Sequence, residues 1–187
     1  KNPFDGPIRL KNFWSKTRKW NRLAKENNTR YRIFTCSMSD FFHSGADEWR
    51  EEAWDVIREN SNCDWLILTK RPEYIINRLP KDWGNGWDHV WMGVTCGHQK
   101  QSEYRLNILK HIPAKIKWVS SEPLLTDINF GNHLEWIDWV VTGCEQASKD
   151  KRTKMNMDWV RHINRQCNYY MKPHYFKQYY KTDKNGN

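Results

Sequence analysis

Short apolar runs recur along this chain from residue 32 onward, and most of them are followed by a segment with the spacing of an amphipathic helix. Their β-branched and aromatic residues predict strands. The predicted strands cover residues 32–36, 64–68, 89–94, 116–119, 137–141 and 173–176. The predicted helices cover residues 13–27, 47–59, 74–79, roughly 101–112 and roughly 157–170. Alternating strands and helices predict stacked βα units, a parallel sheet and right-handed crossovers.

Two α/β architectures are compatible with this pattern, a (β/α) barrel and an open doubly wound sheet. Polar residues follow every predicted strand rather than one or two of them, and a barrel brings all strand ends to one mouth. A dinucleotide-binding sheet needs a G-x-G-x-x-G turn after its first strand, and the sequence lacks one. We therefore predict a parallel (β/α) partial TIM-type barrel of about six βα units. Residues 1–187 are expected to form it as one domain.

The net positive charge of the chain indicates what kind of partner it binds. The chain has a formal net charge of +9 and a pI of about 9.3, so its surface is expected to attract polyanions. Nucleic acid or a nucleotide is the expected partner, and a solvated basic surface without a specific partner is the alternative. No apolar stretch reaches the roughly 18 residues of a membrane span, and no signal-peptide pattern opens the sequence. We expect a soluble cytoplasmic protein that does not bind membranes.

The cysteines form no recognisable framework. They are odd in number, widely spaced and without a C-x-x-C pair, which argues against disulfides and against a compact metal or iron–sulfur site. They are Cys36, Cys63, Cys96, Cys144 and Cys167. We interpret them as small buried residues and predict no metal ligands. Three of them, Cys36, Cys96 and Cys144, follow predicted strands, which leaves their convergence in space open.

The carboxyl ends of the predicted strands supply the candidate catalytic residues, because functional groups of parallel α/β folds collect there. Asp40, Glu122 and Glu145 each follow an apolar run, where an isolated carboxylate would be costly to bury. Lys177 follows the last run and offers a long cation for acid–base chemistry or anion binding. The alternative is that strand ends are polar because they meet water.

Two further pairs of residues are candidates for binding a substrate anion or base. Lys70 and Arg71 precede Pro72 at a predicted helix start, where side-chain charge and free backbone N–H groups favour an anion. An ion pair with a nearby carboxylate is the alternative. Trp83 and Trp87 lie in a glycine-rich loop and are candidates for stacking on an unpaired base.

Six short sequence motifs lie at or near the carboxyl ends of the predicted strands. They are SMSDFFH at 37–43, LTKRPE at 68–73, WMGVT at 91–95, SEPLL at 121–125, DWVVTG at 138–143 and FKQ at 176–178. In content and order they resemble the motifs of a family of phage and prophage three-cysteine-motif proteins, which are regarded as radical-SAM-like and of unknown substrate. The resemblance covers residues 32–179 and implies a partial barrel distantly similar to spore photoproduct lyase.

The resemblance implies two cofactors, S-adenosylmethionine and a [4Fe–4S] cluster held by three cysteines. It also implies which side chains contact S-adenosylmethionine. By analogy they are Ser37, Ser39, Thr95 and Gln99, with Asp40 and Glu122 as neighbours.

Three features depart from the pattern of that family. The cysteine motif of the family lies upstream of the stretch that matches residue 32, and this chain has no counterpart of it. Residues 143–146 read GCEQ where GGES is usual, and residues 95–99 read TCGHQ without the acidic residue that precedes Asn-Gln in the family. Two explanations stay open. Either the chain is N-terminally incomplete and its cluster-binding segment precedes Lys1, or it is a relative without the cluster.

The residues support three hypotheses about function. The first is a radical-SAM-like, phage-type enzyme core that acts on nucleic acid or a nucleotide in a bacterial host cell or phage-infected cell. The second is a non-catalytic basic nucleic-acid-binding protein on a degenerate barrel. The third is a nuclease or hydrolase in which Asp40, Glu122 and Glu145 hold a divalent metal ion. Whether a partner protein completes the site is left open.

Overall fold

The structure, a computed structural model, describes residues 13–37, 39–145 and 153–179, with only the backbone described at Phe13. Within these ranges the chain forms four α-helices and six strands. The helices are α1 (Phe13–Glu26), α2 (Asp47–Glu59), α3 (Gln99–Leu109) and α4 (Met157–Tyr169). The strands are β1 (Tyr31–Phe34), β2 (Cys63–Thr69), β3 (Val90–Thr95), β4 (Ile116–Ser121), β5 (Trp139–Gly143) and β6 (His174–Gln178). The strands form one sheet in the order β1-β2-β3-β4-β5-β6, which confirms the predicted α/β class.

The described residues group into two compact units, and this grouping does not test the prediction of one domain. The first unit runs to Gly93 and includes Ile112–Ile116. In it β1 pairs with β2 in parallel, with Tyr31 opposite Cys63. β2 is buried along almost its whole length, which is why its sequence is a continuous apolar run rather than an alternating one.

The second unit comprises Val94–His111 and the chain from Lys117 onward. In it β4 pairs with β5 and β5 pairs with β6, all in parallel. The register between β5 and β6 shifts at Thr142 and Gly143. One face of α4 is buried, and it consists of Val160, Ile163 and Cys167.

Helix boundaries follow local signals in the sequence. α2 begins at Asp47 and ends at Glu59, as predicted, with acidic residues in its first turn and Arg58 in its last, where both signs of charge favour the helix dipole. α4 begins after Asn156, whose side chain accepts a hydrogen bond from the backbone N–H of Asp158. None of the helices in the described ranges is long and apolar enough to span a membrane.

The short helix predicted over residues 74–79, with Pro72 as a candidate start, does not form as an α-helix. Two short 3-10 turns, Pro72–Tyr74 and Ile76–Arg78, replace it. Pro80 has no backbone N–H to extend a helix, so the segment is too short for a stable α-helix. A further 3-10 turn, Gly131–Glu135, lies between β4 and β5. The predicted irregular start over residues 1–10 lies outside the described residues.

Candidate functional site

Four donors hold the carboxylate of Asp40 in the first unit. Its Oδ1 accepts hydrogen bonds from the backbone N–H of Phe42 at 3.0 Å and from the hydroxyl of Thr69 at 2.7 Å. Its Oδ2 accepts a hydrogen bond from the backbone N–H of Lys70 at 2.9 Å and lies 3.3 Å from a guanidinium nitrogen of Arg71. Charge-assisted contacts of this kind fix the carboxylate in place. Asp40 therefore fastens the loop after β1 to the carboxyl end of β2.

Lys70 and Arg71 follow β2, where the sequence placed an anion site. The backbone N–H of Arg71 donates to the hydroxyl of Thr69 at 2.9 Å, and its guanidinium pairs with Asp40. Lys70 is exposed, and its ammonium has no partner among the residues that the structure describes. Lys70 is thus the cation that can bind a phosphate, whereas Arg71 is partly neutralised by Asp40.

Ser37 and Ser39 lie in the exposed turn after β1. The backbone N–H of Ser39 donates to the carbonyl oxygen of Cys36 at 2.9 Å. Cys36 closes this turn in the left-handed region, with a φ of 56°. Both serine side chains are exposed on the surface of the first unit.

A second carboxylate, Glu122, lies at the carboxyl end of β4 in the second unit. Its two oxygens accept hydrogen bonds from Nζ of Lys177 at 3.0 and 2.9 Å, and its Oε1 accepts another from Nε2 of Gln178 at 2.9 Å. Gly143 lies against this group, because a Cβ at Gly143 would be 3.3 Å from Cδ of Glu122. We call Glu122, Lys177, Gln178 and Gly143 the Glu122 cluster. It joins the ends of β4, β5 and β6.

The Glu122 cluster is partly shielded from water. The Glu122 side chain is 20% exposed and that of Lys177 is 46% exposed. The preceding residue, Ser121, is fully buried, and its hydroxyl has no hydrogen-bond partner in the part of the chain that the structure describes. Buried hydroxyls almost always have such a partner, so this strand end has an unused polar group. The sequence placed Ser121 at a strand end without a role, because spacing carries no signal for an unpaired hydroxyl.

Thr95 and Gln99, expected to contact S-adenosylmethionine, are used by the fold of the second unit. Thr95 is buried, and its carbonyl oxygen accepts a hydrogen bond from Arg105 at 2.7 Å. The side-chain oxygen of Gln99 accepts a hydrogen bond from the backbone N–H of Asn129 at 2.8 Å. The side-chain nitrogen of Gln99 donates to the carbonyl oxygen of Asn129 at 3.1 Å. Both polar atoms of Gln99 therefore hold the loop at Asn129.

Glu145 follows β5 and is bonded to a later part of the chain. Its Oε2 accepts a hydrogen bond from the backbone N–H of Thr153 at 2.8 Å. Glu145 therefore fastens a loop, as Asp40 does in the first unit. Gln146, the other polar residue predicted at this strand end, lies outside the described residues.

The two tryptophans expected to stack on a base take part in packing within the first unit. Trp83 is 4% exposed and donates from Nε1 to the carbonyl oxygen of Pro113 at 2.6 Å. Its ring centroid lies 5.4 Å from that of Trp54. Trp87 stacks on His89, with ring centroids 5.7 Å apart. Trp83 therefore offers almost no surface to a base, and one face of Trp87 is already covered.

His174 is a half-buried polar residue that the sequence did not single out. Its Nδ1 lies 3.1 Å from the side-chain oxygen of Asn164, and its Nε2 lies 2.9 Å from the hydroxyl of Thr142. An amide oxygen only accepts, so Nδ1 carries the proton and Nε2 accepts from the hydroxyl. Burial lowers the pKa of His174 below its ordinary value. The neutral ring thus ties β6 to α4 and β5, and an isolated histidine has no spacing that could have revealed this.

Residues 7–186 match the model of a protein family described as "Protein of unknown function (DUF5131)". The chain belongs to the DUF5131 family. No curated protein and no solved structure matches it. The description of the DUF5131 family assigns no activity, so the resemblance to phage proteins and to radical SAM enzymes stays a prediction.

The described cysteines of this DUF5131 protein do not fit a [4Fe–4S] cluster. Such a cluster is held by thiolates. Burial raises the pKa of Cys96 to about 12 and that of Cys167 to about 11, so neither free thiol is reactive near neutral pH. Among the described residues, no group of three or more His, Cys, Asp or Glu side chains could hold a metal ion. Asp40, Glu122 and Glu145, the acids of the nuclease hypothesis, therefore do not form a three-residue metal-binding group in the described ranges.

Proposed function

We propose that this DUF5131 protein is the core of a radical-SAM-like enzyme, of the phage type and with a partial TIM-type barrel, that acts on nucleic acid or a nucleotide. The observation that carries the proposal is the Glu122 cluster at the carboxyl ends of β4, β5 and β6. Strand ends of this kind are where parallel α/β enzymes hold their functional groups.

The Glu122 cluster is hard to explain by stability alone. With the Lys177 side chain 46% exposed, its ion pair with Glu122 contributes little to the free energy of unfolding, as exposed pairs generally do. The two donors to Glu122 are consecutive residues of β6, and Gly143 leaves the space that the carboxylate occupies. Three strands therefore contribute to the placement of one acid, which favours a functional role.

Lys177 is the group of the Glu122 cluster that can act on a substrate. Its ammonium has three N–H donors, and the carboxylate of Glu122 accepts two of them. The third donor is left to bind an anionic group or to transfer a proton. Glu122 orients Lys177, and Gln178 holds Glu122 in turn.

Lys70 and Arg71 support the choice of a nucleotide or nucleic acid as substrate. Asp40 and Thr69 fix the backbone of both residues, so the exposed ammonium of Lys70 extends from an anchored chain. An anchored cation binds phosphate with a smaller loss of conformational entropy than a mobile one. Asp40 is in this proposal a positioning residue.

The test is anaerobic reconstitution of the complete protein with iron and sulfide, because the described cysteines do not fit the cluster. We expect cluster absorbance and cleavage of S-adenosylmethionine. In the Glu122→Gln variant, we expect unchanged cluster absorbance and cleavage reduced by roughly 100-fold, the lower range for a lost acid–base group. Glu135→Gln, a change at an exposed residue of the second unit, is the matched control. Absence of both absorbance and cleavage in the wild-type protein would eliminate the enzyme proposal.

A non-catalytic nucleic-acid-binding protein is the second candidate function. The net charge of +9 and the unpaired ammonium of Lys70 favour it. It predicts binding that falls steeply with salt and needs no cofactor. Negligible affinity for both DNA and RNA at low salt would eliminate it.

A further inference from the structure

We propose that the exposed side of α1 docks single-stranded nucleic acid, with lysines on the phosphates and Trp20 on a base. The inference rests on the proposed function, because it names the surface by which the protein would hold such a substrate. No functional role was predicted for α1. Three features of the helix point to this surface, namely its charges, its anchoring and the exposure of one indole.

The charge of α1 is strongly one-sided. The helix carries five basic residues and one acidic residue, Glu26. The basic residues are Lys16, Arg18, Lys19, Arg22 and Lys25, and all five are exposed. The three lysines have no ion-pair or hydrogen-bond partner in the described ranges. Arg18 lies 3.9 Å from Glu59 and Arg22 lies 3.6 Å from Glu26, and exposed pairs of this kind contribute little.

The opposite side of α1 is anchored to the first unit. Thr17 and Ala24 are fully buried. The side-chain oxygen of Asn21 accepts a hydrogen bond from the backbone N–H of Asn62 at 2.8 Å. The helix is therefore held before any ligand arrives, and its cations are presented in a fixed order. Fixed cations lose less conformational entropy on binding a polyanion than cations on a mobile segment.

Trp20 gives this basic helix a surface for a base. Its indole is 37% exposed, whereas that of Trp83 is 4% exposed. Lys16 lies one helical turn before Trp20 and therefore on the same side of the helix. A cation beside an exposed ring is the arrangement by which proteins hold the phosphate and the base of a single strand.

The single strand is favoured over a duplex and over a membrane. A ring can stack only on a base that is free of its own neighbours, which an intact duplex does not offer. A membrane-binding helix needs a broad apolar face toward the lipid. In α1 the fully buried residues are the small Thr17 and Ala24, and Trp20 is a large apolar residue that is 37% exposed, so the described residues present no broad apolar face.

The test is fluorescence anisotropy with a labelled oligothymidylate of roughly 12 nucleotides, a length within the range of single-strand sites. In the triple variant Lys16→Ala, Lys19→Ala, Lys25→Ala, we expect weaker binding and a slope of log affinity against log salt that is smaller by about 2. The control removes the same charge from exposed lysines of the second unit. It is Lys100→Ala, Lys110→Ala, Lys154→Ala.

The role of the indole is tested separately. Trp20→Ala is expected to weaken binding by roughly five- to 100-fold, as for a lost stacking partner. Tyr104→Ala, which removes a ring that is 56% exposed, is expected to leave binding unchanged. The triple replacement of the same three α1 lysines by arginine keeps the charge and is expected to retain affinity. Thermal unfolding of each variant checks that α1 is still folded.

The outcomes separate this inference from the proposed function. Wild-type binding that survives in the α1 variants would overturn the inference and leave the proposed function standing. Tighter binding to the matched duplex would overturn the choice of a single strand. Binding to phosphatidylserine vesicles, but to no nucleic acid, would overturn both the inference and the substrate class of the proposed function.

Discussion

Individual carboxylates at the strand ends differ in what holds them. Asp40 and Glu145 accept hydrogen bonds from backbone N–H groups of loops. The donors recorded for Glu122 are the side chains of Lys177 and Gln178. Backbone donors are fixed by the fold, whereas side-chain donors can exchange one partner for another. Glu122 and Lys177 are therefore better suited to respond to a ligand than Asp40 or Glu145.

Replacing His174 by asparagine is expected to flatten the pH dependence of stability on the acidic side of neutrality. Burial lowers the pKa of His174 in the folded protein, so the unfolded chain, with a pKa near 6.5, binds the proton first as the pH falls. The contribution of neutral His174 is present above about pH 6.5 and is lost as the pH falls from there toward the lower folded pKa. Urea unfolding at several pH values between about 8 and 5 measures this change, at most about 1.4 kcal/mol per pH unit for one proton.

Burial also lowers the pKa of His89, so part of the pH dependence is expected to remain in the His174 variant. The control is His111→Asn, at an exposed position of the second unit. It is expected to keep the wild-type slope. If His174→Asn also kept the full slope, the half-buried neutral ring of His174 would not be the source of the pH dependence.

Gly97 is a position where a single methyl group is expected to be costly. A Cβ there would overlap the carbonyl oxygen of Pro123, which cannot rotate away as a side chain could. We expect Gly97→Ala to lower the free energy of unfolding by about 2 kcal/mol or more. Gly131→Ala is the comparison, because a Cβ at Gly131 would meet no described atom within 4 Å. The φ of 51° at Gly131 makes this substitution cost only about 1 kcal/mol of conformational free energy. Equal losses in the two variants would contradict the close approach at Gly97.

At the scale of elements, side chains hold the loops that follow the strands. Asp40 joins the loop after β1 to the end of β2, and Gln99 joins the start of α3 to Asn129. Local capping sets where the helices begin, as at Asn156 before α4. The strand ends are therefore shaped by a few polar contacts, each of which can be removed singly.

Asp40→Asn is expected to loosen the end of β2. The change keeps the shape of the side chain but removes an acceptor and the charge that faces Arg71. We expect the free energy of unfolding to fall by about 1–3 kcal/mol, the cost of leaving a donor unpaired. The backbone N–H of Lys70, which donates to Oδ2 of Asp40, is expected to exchange with solvent faster.

Thr69→Ser is the control for Asp40→Asn, because serine retains the hydroxyl that donates to Asp40. In the Thr69→Ser variant, the backbone N–H of Lys70 is expected to exchange with solvent as slowly as in the wild-type protein. Wild-type protection of Lys70 in Asp40→Asn would show that this carboxylate does not hold the loop.

At the scale of the whole molecule, a basic chain with a net charge of +9 is built on a parallel α/β sheet. Net charge acts on association and not on the fold. We expect the wild-type protein to bind single-stranded nucleic acid at low salt without strong sequence preference. Its affinity is expected to fall by roughly 10- to 100-fold between about 50 and 200 mM salt, as for a few phosphate contacts.

The control for this salt dependence is an oligomer with the same bases on an uncharged backbone. It is expected to bind at least about tenfold more weakly at low salt, because the phosphates supply most of the affinity. Binding that is equal for both backbones and independent of salt would show that the net charge does not drive association.

Much of the fold could be predicted from the sequence because strands and helices are local. All six strands were placed from their β-branched and aromatic residues, both where the strand is buried, as in β2, and where it is largely exposed, as in β6. The apolar spacing and the charges at both ends of α2 marked it at Asp47–Glu59. The 3-10 turns within residues 72–78 and 131–135 were not predicted as such, because turns of three to five residues are too short to show a helical period. For the candidate site, the sequence predicted which residues follow the strands but not which side chains contact one another.

By itself the sequence determined the α/β class, the positions of the strands along the chain, the basic charge and the acids that follow the strands. These depend on the period of apolar residues and on composition, which are readable one segment at a time. Only the tertiary structure decided which side chains meet. Lys177 and Glu122 are 55 residues apart in the chain, and Trp83 is buried by contacts with Trp54 and Pro113. Contacts over such separations depend on how whole strands and helices pack, so the partners of a polar group cannot be read from its neighbours in the sequence.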